Sequence, residues 1–479
     1  MFFEQTVALP LWLVLLTCLL AALALLDRLL MPSARWFLHR RLNRAIEKLN
    51  ARLHFRIRPF TLTRRRVLVD NLTYDPQVLA AVEQLARAEN LPHDVLIERV
   101  GRYAREIVPA FNAYLYFRLG VWLARRLARN LYRVRLAQAD DTALEEIGED
   151  AAVVFVMNHR SNMDYVLLAF LAARRAALSF AAGEWARVWP LQGLVRAMGA
   201  YFVRRDSGNL LYRRVLQRYI QMATAGGVTQ AVFPEGGLSR DGRLREPKLG
   251  ILDYMVRGFL PNEGRDIVFV PVGINYDRVL EEDSLLGMTG PRATRRGTRR
   301  ALRTGAGFLV RNLFLMKKRE RTRFGYACVN FGRPISLRAY LGARDSVPGA
   351  LDRDARFAVV EALGRHLMQE IGRAVPVPPI PLVANLFAQN PEAYQTSEEL
   401  AVALDALAAR LRAVGARLQL PGDDLSSALK TGLRTLVRRG LIEREAGGFV
   451  VVAGGGDLLT YYANSIAHLI EQDANVSPG

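Results

Sequence analysis

The sequence predicts an α/β protein: a mixed, mostly parallel sheet covered by helices, with an N-terminal helical region and a small C-terminal helical region. Short apolar, β-branched runs at 151–157, 227–233 and 267–272 read as buried strands. Helical segments at 164–173 and 209–223 lie between them, and alternation of this kind builds a largely parallel sheet. With 479 residues and 51% hydrophobic content, the chain buries a sizeable core in two or three domains.

Taken in order, the chain opens on an uncharged apolar run, 9–26, about long enough to cross a bilayer at about 1.5 Å per residue. Only Glu4 is charged before it, so the basic leader of a secretion signal is missing. Arg28, Arg35, Arg40, Arg41, Arg44 and Lys48 follow, and the positive-inside rule puts the bulk of the chain on the cytoplasmic side of an inner membrane. A buried or surface-lying hydrophobic helix is the alternative. The net charge of +20 and pI near 10.4 favour anionic partners: phospholipid headgroups, nucleic acid or phosphorylated metabolites. Cys18 and Cys328 cannot build a disulfide framework, and neither has a Cys or His at metal spacing.

Residues 31–140 are mostly helical. Segment 77–90 is rich in Ala, Leu and Glu. Segment 110–132 sets Tyr114, Tyr116, Phe117 and Trp122 against Arg125 and Arg126, either to cover the core or to lie on a membrane surface. Residues 292–323 are dense in Lys and Arg, a solvated face or a hold for anionic lipid. Residues 375–381, Val-Pro-Val-Pro-Pro-Ile-Pro, read as a stiff, extended linker. Residues 397–471 read as helices with one strand-like piece, 448–452, and 430–452 resembles a winged-helix tail. The expected boundaries are a membrane segment 1–30, a helical region 31–140, an α/β domain 141–345, a helix with the proline-rich linker 346–389, and a mainly helical domain 390–479.

Two segments carry chemistry. In Asn158-His159-Arg160-Ser161-Asn162-Met163-Asp164, five residues separate His159 from Asp164, roughly 140° apart on a regular helix, so they meet only across a turn. Such a turn is expected where a strand ends at Met157 and a helix starts near Tyr165. An imidazole whose Nδ1–H is held by a carboxylate presents Nε2 as a general base. No cysteine or Gly-x-Ser-x-Gly elbow offers a nucleophile, so direct attack by a bound hydroxyl is favoured over a covalent intermediate. In Phe233-Pro234-Glu235-Gly236-Gly237-Leu238-Ser239-Arg240, the glycines allow positive φ and close approach of N–H groups to an anion. Arg240 offers a fork for phosphate oxygens, Ser239 a hydroxyl, and Glu235 an acceptor for substrate hydroxyls. Arg204 and Arg205, after an apolar run, also read as plain strand-end charges. Val270-Pro271-Val272 reads as core or as the wall of a hydrocarbon slot.

In their order, these four pieces resemble the blocks of the glycerolipid acyltransferase family: H-x-x-x-x-D, G-x-x-F-(apolar)-R-R, F-x-E-G-x-R-S-R and (apolar)-P-(apolar). The extended third block through Lys248, residues 330–337 and residues 458–468 are similar to the bacterial membrane-bound glycerol-3-phosphate acyltransferase branch. The resemblance implies His159 as base and Asp164 as its partner. It implies Arg204, Arg205, Glu235, Gly236, Gly237, Ser239 and Arg240 around glycerol 3-phosphate, and Val270, Pro271 and Val272 at the acyl site. It implies an acyl-CoA or acyl-carrier-protein donor, an anionic membrane surface, no metal and no tightly bound cofactor. One block position departs, Leu238 standing where the family has its first arginine. Acylation of 1-acylglycerol 3-phosphate at sn-2, or of dihydroxyacetone phosphate, is the neighbouring alternative. A nucleic-acid or partner-binding role is a rival of another class, and nucleic acid is not the expected partner.

Overall fold

A computed structural model describes residues 55, 57–136, 144–172, 177–183, 191–204, 208–260, 264–282, 324–343 and 351–476. The segment 9–26, Cys18, Arg205 and the basic stretch 292–323 lie outside the described residues. The main sheet contains β1 (Arg133–Leu136), β2 (Ala152–Met157), β3 (Ser179–Ala182), β4 (Ala200–Phe202), β5 (Gln230–Val232), β6 (Ile267–Tyr276), β7 (Tyr326–Phe331) and β8 (Ile335–Ser336). Their order is β1-β7-β6-β2-β5-β3-β4, with β8 beside β6. The pairs from β6 to β4 are parallel, whereas β7 and β8 run antiparallel to β6. This is the mixed, mostly parallel sheet that the alternating runs predict.

All six residues of β2 are buried between β5 and β6, which is why the run is continuously apolar rather than alternating. Val156 pairs with Val232 and Met157 with Val272, so these strand ends finish together. Polar turns following parallel strands therefore meet along one edge of the sheet. β6 continues to Tyr276, past the end expected at Val272, because its second half gains β7 as an antiparallel partner.

Helices α1 (Arg65–Thr73), α2 (Pro76–Glu89) and α3 (His93–Ile107) form the N-terminal cover. The Asp75 side chain caps the N–H groups of Gln77 and Val78, Pro76 opens α2, and Asn90 closes it at φ 52°. Helix α4 (Val121–Leu131) follows a π-helical segment, Leu115–Gly120, where one regular helix was expected. Tyr116, Ala124 and Ala128 are buried while Tyr114 and Trp122 are exposed, so this stretch covers the core and still presents aromatic rings outward. Helices α5 (Met163–Ala172), α6 (Leu210–Ala225) and α7 (Gly250–Arg257) follow strands of the sheet. Leu72, Val82, Val100, Ile220, Met255 and Leu367 join Val154, Val156 and Phe269 in one apolar cluster.

After α8 (Arg353–Ala374), the proline-rich stretch corrects the expectation of a linker. Val375 and Val377 are fully buried, Pro376 accepts from the Asn275 side chain at 3.1 Å, and Val377 bridges to Leu418. Pro379 then opens α9 (Pro379–Gln389), whose Ile380 N–H donates to Asp277 at 2.9 Å. Proline fits here because the first turn of a helix needs no N–H donor. Beyond it lie β9 (Gln395–Thr396), α10 (Ser397–Ala413), α11 (Leu425–Arg438), the hairpin β10 (Ile442–Glu445) and β11 (Gly448–Val451), and α12 (Gly456–Val476). The small sheet has the order β10-β11-β9. Residues 57–479 form one compact unit, so the boundaries expected at 140 and 390 do not separate independent bodies. Among the described residues no helix is long and apolar enough to cross a membrane.

Candidate active site

The turn leaving β2 is the most densely bonded part of the molecule. Asn158 clamps its start to β6: its side chain donates to Ile274 O at 2.8 Å and accepts from Ile274 N at 2.8 Å. His159 Nδ1 lies 2.9 Å from Asp164 Oδ2, the meeting across a turn that the five-residue spacing requires. The same oxygen accepts from the N–H groups of Arg160 at 2.7 Å and Ser161 at 3.0 Å. Asp164 Oδ1 accepts from the Tyr276 hydroxyl at 2.5 Å. Asp164 is fully buried and His159 nearly so. The imidazole stacks on Phe233 with centroids 4.1 Å apart and meets Tyr165 edge-on at 5.5 Å. With the proton on Nδ1, the ring presents Nε2 as its free acceptor, and Nε2 has no hydrogen-bond partner among the described residues.

The turn after β5 lies directly against this one. Ser239 N–H donates to His159 O at 2.9 Å, and His159 N–H donates to Glu235 Oε1 at 2.8 Å. The other Glu235 oxygen accepts from Arg245 N–H at 3.2 Å. Both carboxylate oxygens thus brace backbone, a correction to the expectation that Glu235 receives substrate hydroxyls. Burial pushes its pKa up to about 7, against the lowering pull of the His159 N–H and the Arg160 charge. Gly236 adopts φ 65° beneath the Lys248 side chain, while Gly237 does not take a positive φ. The Gly236 N–H closes the turn on Phe233 O at 3.0 Å. The Ser239 hydroxyl donates to Arg243 O at 2.7 Å. Arg240 is exposed and makes no hydrogen bond or ion pair, leaving its guanidinium open to an anion. Leu238 is half-buried.

The remaining expected residues sit elsewhere. Arg204 is held by Glu106 of α3 through Nε at 2.9 Å and Nη2 at 2.5 Å, which raises its pKa, and it lies over the rings of Tyr103 and Tyr212. This geometry corrects the expectation of a free phosphate ligand at Arg204. Arg205 lies outside the described residues. Val270, Pro271 and Val272 are buried within β6, where they pair with the middle and end of β2. Pro271 is tolerated in this central strand because its nitrogen faces the gap between β7 and β8, where Pro271 O accepts from Gly332 N–H at 2.8 Å.

Several residues that sequence reasoning missed complete the site. Arg160 is 2% exposed and reaches across to Gly242 O and, at 3.1 Å, to Ser465 O in α12. The Asn464 side chain donates to Asp241 O at 2.9 Å, and Ser465 Oγ accepts from Asn275 at 3.1 Å. Gly242, at φ 87°, lies so close to Tyr461 O that a Cβ would stand 1.9 Å from it. The C-terminal helix is therefore part of the site's wall. Glu281 accepts from Ser161 Oγ at 2.7 Å and from Asn162 N and Nδ2 at 3.1 and 3.0 Å. Two adjacent glutamates following a strand in a chain of charge +20 were the available signal for this contact.

A family model described as Acyltransferase matches residues 138–275, and one described as Glycerol-3-phosphate acyltransferase C-terminal region matches residues 310–477. A glycerol-3-phosphate acyltransferase of Ectopseudomonas mendocina is 30% identical over 439 residues, covering 87% of this chain and 51% of that protein. One from Pseudomonas putida is 30% identical over 455 residues, covering 90% of this chain and 52% of that protein. The chain spans about half the length of the curated relatives it matches. Among solved structures, a 1-acyl-sn-glycerophosphate acyltransferase from Thermotoga maritima aligns at 17% identity and a TM-score of 0.30, over 64% of this chain and 97% of that one.

Proposed function

Because the chain belongs to the glycerolipid acyltransferase family, in its glycerol-3-phosphate acyltransferase branch, we propose that it transfers an acyl group from a thioester to the sn-1 hydroxyl of glycerol 3-phosphate. His159 Nε2 takes the hydroxyl proton as the oxygen attacks the thioester carbonyl, and Asp164 holds the imidazolium that forms. The tetrahedral intermediate collapses with cleavage of the carbon–sulfur bond, and the imidazolium returns its proton to the leaving thiolate. The product is 1-acylglycerol 3-phosphate, with either acyl-CoA or acyl-carrier protein as donor. Arg240 receives the phosphate, and Gly236 and Ser239 hold the shape of its turn. The reaction takes place at the cytoplasmic face of an anionic inner membrane, a reading supported by the apolar segment 9–26 and its basic flank.

One observation carries this reading: the His159–Asp164 pair, at 2.9 Å, sits in a buried turn bonded through His159 O to the turn that ends in the unpaired Arg240. A base and an anion hold are thereby fixed to the same few backbone atoms. Offering one labelled thioester with glycerol 3-phosphate, 1-acylglycerol 3-phosphate or dihydroxyacetone phosphate tests it. Selective labelling of glycerol 3-phosphate is expected, and preferred labelling of either other acceptor would replace the proposal.

A further inference from the structure

We propose that Glu281 is a positioning residue for this reaction, a second carboxylate that fixes the turn between His159 and Asp164 from its outer side. The inference rests on the acyl-transfer reading above. Within that turn, Asp164 gathers the inner donors, namely His159 Nδ1 and the N–H groups of Arg160 and Ser161. The outer donors, Ser161 Oγ, Asn162 N and Asn162 Nδ2, all go to Glu281. Ser161 Oγ in turn accepts from Met163 N–H at 3.1 Å, so the hydroxyl links Glu281 to the first turn of α5. No other described carboxylate hydrogen-bonds to Ser161 or Asn162.

Glu281 is itself fixed from behind. Its neighbour Glu282 accepts from Arg278 Nε at 2.7 Å, from Arg439 Nη2 just past α11 at 2.5 Å, and from the Tyr462 hydroxyl of α12 at 2.5 Å. Tyr462 also receives Val279 N–H at 3.0 Å. The segment 277–282 thus joins the C-terminal helices to the turn that carries the base. An imidazole displaced by a fraction of an ångström from its line of proton transfer loses rate without losing substrate affinity. Glu281 touches neither Arg240 nor the turn around it, so its loss acts on turnover rather than on acceptor binding. Burial raises its pKa, while its hydrogen bonds to Ser161 and Asn162 hold it toward the charged form. The charged or titratable groups facing this turn are Arg160 within it, Glu235 from the turn after β5, Tyr276 from β6, Tyr132 from the end of α4, and Tyr461 from α12.

The test compares purified wild-type, Glu281→Gln, Glu281→Asp and Asn162→Ala proteins, with kcat and KM for both substrates, pH–rate profiles and melting temperatures. Glu281→Gln is expected to lower kcat roughly tenfold to a hundredfold with KM for glycerol 3-phosphate within about twofold. Its kcat/KM profile is expected to move its acidic limb to lower pH, because an imidazolium in the turn loses a nearby negative charge. Glu281→Asp should recover part of the rate. Asn162→Ala, which keeps the carboxylate, should lower kcat by a smaller factor without moving the limb. Unchanged kcat in both Glu281→Gln and Asn162→Ala, or a lowered melting temperature with kcat and pH profile intact in the folded fraction, would overturn the proposal. If Glu281→Gln fails to fold, Glu281→Asp and Asn162→Ala decide it by the same split. Wild-type protein that acylates no glycerol 3-phosphate would overturn the acyl-transfer reading, and this proposal with it.

Discussion

The turn after β2 and the turn after β5 are bonded to each other, yet they are built on opposite principles. In the first, Asp164 and Glu281 collect the donors, every described contact is internal, and His159 Nε2 is the group left open. In the second, Glu235 and Ser239 are used up in holding backbone, and the open group is a solvent-exposed guanidinium, Arg240. The difference follows the chemistry. A base works in a fixed tautomer and orientation, so it is buried and clamped. A phosphate arrives hydrated and must exchange water for the guanidinium, so its ligand stays accessible.

The largest break in this comparison is expected from Asp164→Asn, which keeps the shape of the turn but removes the carboxylate that holds Nδ1–H and receives Tyr276. Turnover should fall by roughly two to four orders of magnitude while acceptor KM changes little, as steady-state kinetics would show. Arg240→Ala should do the reverse. Losing one charge-assisted bond raises the KM for glycerol 3-phosphate roughly tenfold to a hundredfold, with kcat at saturation nearly preserved. An unchanged acceptor dependence would remove Arg240 from the phosphate site.

A smaller effect, on stability, is expected from Gly242→Ala. Its φ of 87° disfavours any side chain, and a Cβ there would meet Tyr461 O. Thermal unfolding should show a loss of about 1–3 kcal/mol from the backbone alone, and more from the contact with α12. The smallest effect is a pH dependence. The Glu235 carboxyl has a folded-state pKa of about 7, above its usual 4.5, so the native state holds that proton more tightly than the unfolded chain does. Its contribution is present at low pH and is lost as pH rises between those two values. Glu235→Gln cannot lose a proton there. Relative to wild type, the variant should therefore melt comparatively better at pH 8 than at pH 5. Asp277, raised to about 6, contributes with the same sign in both proteins and cancels in the comparison.

Much of this was legible in the sequence, for identifiable reasons. β2 is a run of β-branched and apolar residues buried on both sides, and its abrupt polar end announces a turn at a sheet edge. The five-residue spacing of His159 and Asp164 forbids a regular helix between them. The four blocks in order carry the family. What was hidden depends on contacts between residues far apart in the chain. Glu235 and Arg240 share one turn and one resemblance, but only tertiary packing reveals that the first faces the His159 backbone and the second faces solvent. Arg204 reads as a phosphate ligand until Glu106, 98 residues away, is found holding it. The proline-rich stretch has the composition of a linker, yet Asn275 and Asp277 draw it onto the end of the sheet. Glu281 has no motif to announce it; its role is visible only where β6 overshoots the expected strand end.

The most direct measurement uses wild-type and His159→Ala proteins with matched circular dichroism, given glycerol 3-phosphate and one labelled thioester. The initial rate of 1-acylglycerol 3-phosphate formation should fall by roughly two to four orders of magnitude in the variant. Acceptor and donor KM should remain close to those of wild type. A His159→Ala protein that still acylates glycerol 3-phosphate at near the wild-type rate would contradict the assignment of the base, and with it the reason given for the buried, doubly clamped turn.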